Sequence, residues 1–175
     1  MTNWIVMLRA VNVSGTSIVK MEALRAMCEG MGLQKVRTYI QSGNIVFRTK
    51  QTKIAKKLEK ELHKTFGLQT KVIARTAAEM RNVVERNPFP GQEGSKLLVF
   101  FLEREARSEA EAEVAALQIT PEEIRIDGRE VFVYFPDGQG KSKIPMARIT
   151  KALGCAGTGR NWNSVVKLLA MGEEA

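Results

Sequence analysis

The chemistry open to this chain is narrowed first by its reactive side chains and where they fall. His63 is the single histidine of the sequence. It lies on a lysine-rich helical stretch outside the apolar stripe, where it reads as a surface residue. No Ser-His-Asp triad, Cys-His pair or metal cluster can be assembled around it from the spacing. The two cysteines, Cys28 and Cys155, are far apart and read as inert thiols of a reducing cytoplasm. Glu109, Glu111 and Glu113 read as a solvated helix face. What remains is a set of amide, hydroxyl and cationic groups in three places. These are the knuckle Gln41-Ser42-Gly43-Asn44, the run GQGKSK from Gly138 to Lys143, and GTGRNWNSVVKLL from Gly157 to Leu169. Such groups recognise an anion by hydrogen bonds and charge, but do not by themselves transfer a proton at neutral pH.

GQGKSK follows a strand and precedes a helix, the place of a phosphate loop. The Walker pattern, however, needs a glycine where this chain has Phe135, and the loop is too short to wrap a triphosphate. A weaker role survives, with Lys141, Ser142 and Lys143 holding a single phosphate at a helix start. In GTGRNWN the glycines suggest a pliable loop, Asn161 or Asn163 a helix cap, and Arg160 beside the first turn an anion site. Trp162, Val166 and Leu169 are expected to face inward. The strand VFVYF, from Val131 to Phe135, lacks the companion motifs of an RNA-stacking strand, so Phe132 and Tyr134 read as core.

The elements that must position these groups follow from periodicity and turn chemistry. Trp4–Arg9 is an unalternating apolar run, as in a central strand covered on both faces. Met21, Leu24, Met27, Cys28 and Met31 recur at helical spacing, and Gly30 and Gly32 suggest the stop. Val36–Ile40 and Ile45–Arg48 form a hairpin about the amide knuckle, where Gly43 and Asn44 tolerate positive φ. Gln51–Phe66 is a helix with Ile54, Leu58 and Leu62 inward and Lys53, Lys57, Lys60 and Lys64 on the far side. Thr70–Ala74 is a strand, and Thr76–Arg86 a helix opened by a capping box of Thr76 and Glu79. After the boundary loop NPFPGQEGS come a strand at Leu97–Leu102, a helix at Glu105–Leu117 and a hairpin about Asp127–Gly128. A helix near Ile144–Leu153 and a last one from about Asn161 to Met171 close the chain. The first half reads β-α-β-β-α-β and the second repeats that order in part. This predicts an α+β fold of two ferredoxin-like halves, residues 1–88 and 89–175, packed as one unit.

Charge is unevenly divided. Residues 1–88 hold 16 Lys and Arg against 6 Asp and Glu; residues 89–175 hold 11 against 13. A basic half points to polyanions, and a lysine line on one helix face can track a phosphate backbone. No apolar run approaches the roughly 20 residues of a membrane helix. The N-terminal MTNWIVMLRAV reads as a strand and not as a signal peptide, so a cytoplasmic protein with no membrane partner is expected.

The segments LRAVNVSG (8–15), KMEALRAM (20–27), VRTYIQSGNIVF (36–47), the SK pair (142–143) and TGRNWNSVVKL (158–168) together resemble one bacterial family. It is catalogued as domain of unknown function 1697, and the resemblance covers nearly the whole chain. It implies a duplicated ferredoxin-like α+β fold and brings no activity, substrate or catalytic residue. Val13-Ser14-Gly15 departs from the family's usual double glycine, and the bulkier Ser14 narrows any close backbone approach.

The functional expectation is a patch formed by Arg9, Asn12, Gln41, Ser42, Asn44, Arg160 and Asn161, with Ser142 and Lys143 as a further anion contact. Two guanidinium groups, several amides and a hydroxyl suit a phosphate-bearing ligand. Nucleic acid is one such ligand, met by Lys53, Lys57, Lys60 and Lys64. Neither a cofactor nor a metal is expected. The alternatives are an enzyme that stabilises charge on a small anionic substrate, and a structural protein whose polar segments lock the fold.

Overall fold

The computed structural model describes residues 1–9, 19–40 and 43–175. The first half runs β1 (Thr2–Leu8), α1 (Met21–Gly30), β2 (Gln34–Tyr39), β3 (Asn44–Thr49), α2 (Ile54–Phe66) and β4 (Val72–Thr76), then α3 (Ala77–Glu85). The second runs β5 (Leu97–Leu102), α4 (Ala110–Ala115), β6 (Glu123–Asp127), β7 (Glu130–Tyr134), α5 (Met146–Leu153) and β8 (Gly157–Asn161), then α6 (Trp162–Glu174). The strands form two four-stranded antiparallel sheets, ordered β2-β3-β1-β4 and β6-β7-β5-β8. The result is a mixed α+β protein of two similar sheet-and-helix units, as a duplication produces. One compact unit is Met1–Asn82 with Val166–Ala175, the other Val83–Val165. The last ten residues therefore cluster with the first unit and not with the second half of the chain. No helix among the described residues is long and apolar enough to cross a membrane.

β1 behaves as its unbroken apolar run demands. Ile5, Val6, Met7 and Leu8 are all buried, between β3 on one side and β4 on the other. Val6 and Leu8 join Ile45, Phe47 and Val72 beneath Leu24, Met27 and Cys28 of α1 and Ile54, Leu58 and Leu62 of α2. Each such side chain contributes roughly 1.5–3 kcal/mol on leaving water. α2 starts at Ile54 and not at Gln51, because Lys53 takes a left-handed φ of 54°. Lys53 therefore precedes the lysine face of the helix instead of lying on it. Gly67, at φ 65°, ends α2 and donates to the His63 carbonyl at 2.9 Å. Its conformation is one that glycine adopts without a Cβ penalty.

The two units match in detail. Leu8 N–H donates to Gly43 O at 2.9 Å and Arg9 N–H to Lys71 O at 3.1 Å. In the second unit Leu102 N–H donates to Arg129 O at 2.8 Å and Glu103 N–H to Ala156 O at 3.0 Å. Register makes Arg75 the counterpart of Arg160, opposite Ile5 and Val99, and Asn44 the counterpart of Glu130, opposite Met7 and Phe101. All four polar side chains are buried. Arg75 donates to the carbonyl of Ala74 at 3.0 Å and Arg160 to that of Gly159 at 2.8 Å, the same bond in each copy. A capping residue follows each arginine. Thr76 and Glu79 form the expected reciprocal box at 3.1 and 2.8 Å, and Asn161 Oδ1 accepts from Ser164 N–H at 2.9 Å.

Several sequence expectations need correction. Gly157–Asn161 is the edge strand β8 and not a pliable loop. Its glycines make room: a Cβ on Gly157 would lie 2.9 Å from Phe101 O, and one on Gly159 would lie 3.1 Å from the Phe100 ring. The inward face of α6 is Val165, Leu168 and Met171, while Val166 is exposed. The expected stripe is thus about one residue, or ~100° of helix, out of phase. α4 is much shorter than Glu105–Leu117, and β4 lies two residues beyond Thr70–Ala74. Asn44 is the first residue of β3, while among the described residues of the turn Ile40 (49°) and Gly43 (75°) have positive φ.

Gly157→Ala is expected to lower the unfolding free energy by about 1–3 kcal/mol, read from the urea midpoint, because the backbone of Phe101 cannot yield. Asn44→Ala and Arg160→Ala each remove a buried hydrogen-bonding group and are expected to cost about 1–3 kcal/mol by the same measurement. Midpoints equal to the parent's would show that these two side chains do not hold the fold.

Candidate functional site

At one end of the first sheet the chain brings three cation-capable side chains to a common cavity. Arg9 directly follows β1, and Lys71 directly precedes β4. Their backbones are tied by the 3.1 Å bond from Arg9 N–H to Lys71 O, and Thr70 Oγ1 donates to Arg9 O at 2.5 Å. Across from them α2 presents Glu59 and His63, one turn apart on one line of the helix. These residues, with Gln69, line a cavity of about 550 Å³. That volume is in the range of small-molecule sites, about 300–1,000 Å³.

The lining is mixed in charge but weighted to the positive. Glu59 is already engaged, accepting from Val72 N–H at 3.2 Å through Oε1 and facing Lys56 Nζ at 3.9 Å through Oε2. Arg9 offers a planar donor fork suited to a carboxylate or phosphate, and Lys71 a compact ammonium. The His63 imidazole can donate or accept a hydrogen bond there. The set can hold and orient an anion. Among the described residues no cluster of three or more His, Cys, Asp or Glu has the geometry to hold a metal ion.

The second unit carries different side chains at the same place. Glu103 stands where Arg9 does and Ala156 where Lys71 does. Arg107 Nε donates to Ala152 O and Arg104 to Gly154 O, both at 3.0 Å, so two arginines from the segment after β5 cover the end of α5. The corresponding segment after β1, residues 10–18, contains no charged residue.

Of the residues singled out in the sequence, Arg9 lines the cavity, and Gly43 reaches the same sheet end through the bond from Leu8 N–H to Gly43 O. Asn12, Gln41 and Ser42 lie outside the described residues. Asn44 is buried, and its Nδ2 donates to Tyr39 O at 3.1 Å. Ser142, Lys143, Arg160 and Asn161 belong to the second unit. Ser142 and Lys143 precede a helix that begins only at Met146, and Ser142 Oγ accepts from Ile144 N–H at 3.2 Å. They are therefore not at a helix start. Arg160 donates to Thr158 Oγ1 and Gly159 O, both at 2.8 Å, and burial pulls its pKa down to about 10. Asn161 is the cap of α6. Lys53, Lys57, Lys60 and Lys64 are all exposed, with Lys57 Nζ donating to Gln51 Oε1 at 3.2 Å.

His63 is exposed, as its reading as a surface residue has it, but the sequence did not place it, Glu59 or Lys71 at a common cavity. The available signal was the Glu59–His63 spacing of four at the margin of the apolar stripe. What the sequence could not supply is the strand register that sets Arg9 and Lys71 beside them. Cys28 is buried, and its thiol is pushed up to about 12 by burial with the Glu29 charge adding to it, which disables it as a nucleophile.

Comparison with known proteins bears on the fold and the family. The solved structure of the conserved bacterial protein SP0830 from Streptococcus pneumoniae matches at 21% identity with a TM-score of 0.74, over 98% of each chain. No curated protein matches the sequence. The family model described as "Protein of unknown function (DUF1697)" matches residues 1–132, and the chain belongs to that family.

Proposed function

We propose that the protein is a binding module for a phosphate-bearing ligand, held in the cavity between the ends of β1 and β4 and the helix α2. The observation that carries this reading is the fixed pairing of Arg9 with Lys71. Two cations from neighbouring strands are held by a backbone hydrogen bond at the wall of a cavity of about 550 Å³. A site built on strand ends fixes the backbone positions that carry its donors before the ligand arrives, which leaves only the side chains to be ordered. The scaffold we infer is a pair of duplicated ferredoxin-like units, which the strand orders β2-β3-β1-β4 and β6-β7-β5-β8 support.

His63 in the lining favours one second reading. The protein would then be an enzyme on a small anionic substrate, with Arg9 and Lys71 stabilising charge and the imidazole moving the proton.

Calorimetric titration with inorganic phosphate and nucleoside monophosphates tests the first reading. Binding is expected, and Arg9→Ala should weaken it by about ten- to a hundredfold, the worth of a charged hydrogen-bonding pair. Unchanged affinity in a folded Arg9→Ala variant would remove the cavity as the site. Product formation from any of these compounds, with kcat lowered in His63→Gln, would move the conclusion to the enzyme.

A further inference from the structure

Beside the two α2 residues that line the cavity, the same helix carries a second set of cations on the adjoining face. At 100° per residue, Glu59 and His63 span about 40° of the helix surface beside the buried stripe of Ile54, Leu58 and Leu62. Turning away from that stripe, the next positions are Lys56, Lys60, Lys64 and Lys57, within about 120° of His63. Lys57, Lys60 and Lys64 are exposed and advance along the axis by about 4.5 and 6 Å. Lys56 is turned to Glu59, and Glu61 accepts from Thr65 Oγ1 at 3.4 Å. The helix face next to Glu59 and His63 therefore carries a row of ammonium groups.

The surrounding unit adds to this field. Residues 1–82 and 166–175 hold 16 Lys and Arg against 7 Asp and Glu, while residues 83–165 hold 11 against 12. A ligand with a single phosphate would use the cavity and leave the row idle. A chain of phosphates would use both.

We infer that the ligand is a single-stranded nucleic acid, with one phosphate in the Arg9–Lys71 cavity and its neighbours along Lys57, Lys60 and Lys64; this rests on the phosphate reading of the cavity. The single strand follows from the concavity. A flexible backbone can place one phosphate in a pocket while the next ones lie over a helix face, and a stiff duplex cannot. Among the described residues no Phe, Tyr or Trp is fully exposed, and none lines the cavity. Recognition then falls to the backbone, with little preference among bases and strong dependence on salt.

The test is fluorescence anisotropy with labelled oligothymidylate and oligoadenylate of about a dozen nucleotides, across a salt series, beside calorimetry with inorganic phosphate. Both oligonucleotides are expected to bind alike, more tightly than phosphate. Log affinity should fall against log salt by about 0.7 for each phosphate neutralised. The variant Lys57→Gln/Lys60→Gln/Lys64→Gln should make the slope shallower by about 2 and leave phosphate binding intact. Arg9→Ala should weaken both ligands. If phosphate binds but oligonucleotides bind no more tightly, or the triple variant keeps the parent slope, the nucleic-acid inference falls and the cavity stands. Tighter binding to a duplex of equal length, or equal binding to phosphatidylserine vesicles, overturns it as well. If neither phosphate nor oligonucleotide binds, the reading of the cavity itself is lost.

Discussion

The placement of β1 between β3 and β4 is the constraint on which the first unit depends. Ile5, Val6, Met7 and Leu8 are buried on alternate faces, so the strand has no face to give to solvent. A slip of one residue would exchange the two sets, carrying Val6 and Leu8 away from the helices and Ile5 and Met7 into them. Once that register is fixed, the residue after the strand has no choice of position. Arg9 N–H meets Lys71 O, and the two cations stand together at the sheet end. The candidate site is thus a by-product of apolar pairing farther down the same strand.

What could be read from the sequence was what neighbouring residues determine. The β5 run LLVFFL, the Thr76–Glu79 box and the Ile54–Leu58–Leu62 stripe all depend on spacings of a few residues, and each lies where its pattern puts it. β8 was hidden because glycine is normally poor strand material. Its glycines answer to the Leu102 side chain, the Phe101 carbonyl and the Phe100 ring on the next strand, a demand invisible in GTGRN itself. His63 was hidden for a related reason. On α2 alone it is one more polar residue, and only the register of β1 with β4 gives it Arg9 and Lys71 as neighbours. Arg160, conspicuous in the sequence as a loop cation, became a buried strand residue once β8 formed.

The likeness of the two units separates what the fold requires from what one of them adds. Arg75 and Arg160 sit at the same place on the fourth strand, both buried, both donating to the carbonyl just before them, both followed by a helix cap. A buried guanidinium costs several kcal/mol unless its hydrogen bonds are made. That both copies carry it marks a structural requirement of the strand-to-helix junction. Asn44 and Glu130 make the same point with different chemistry, the amide turned to Tyr39 O and the carboxylate to Arg86 at 2.6 Å.

Cations near the end of α2 have a simpler possible purpose, since a helix C-terminus attracts positive charge worth about 0.3–1 kcal/mol. The second unit shows how that purpose is met when it stands alone. There Arg104 and Arg107 bond directly to the carbonyls at the end of α5. At the end of α2 the backbone does this work, with Gly67 N–H on His63 O and Leu68 N–H on Leu62 O. Those carbonyls therefore make no demand on a cationic side chain. Arg9 and Lys71 instead stand where the other unit has Glu103 and Ala156, and they line a cavity with Glu59 and His63 of α2. Helix-end stabilisation explains the arginines of the second unit. It does not account for Arg9 and Lys71, which line the cavity beside α2.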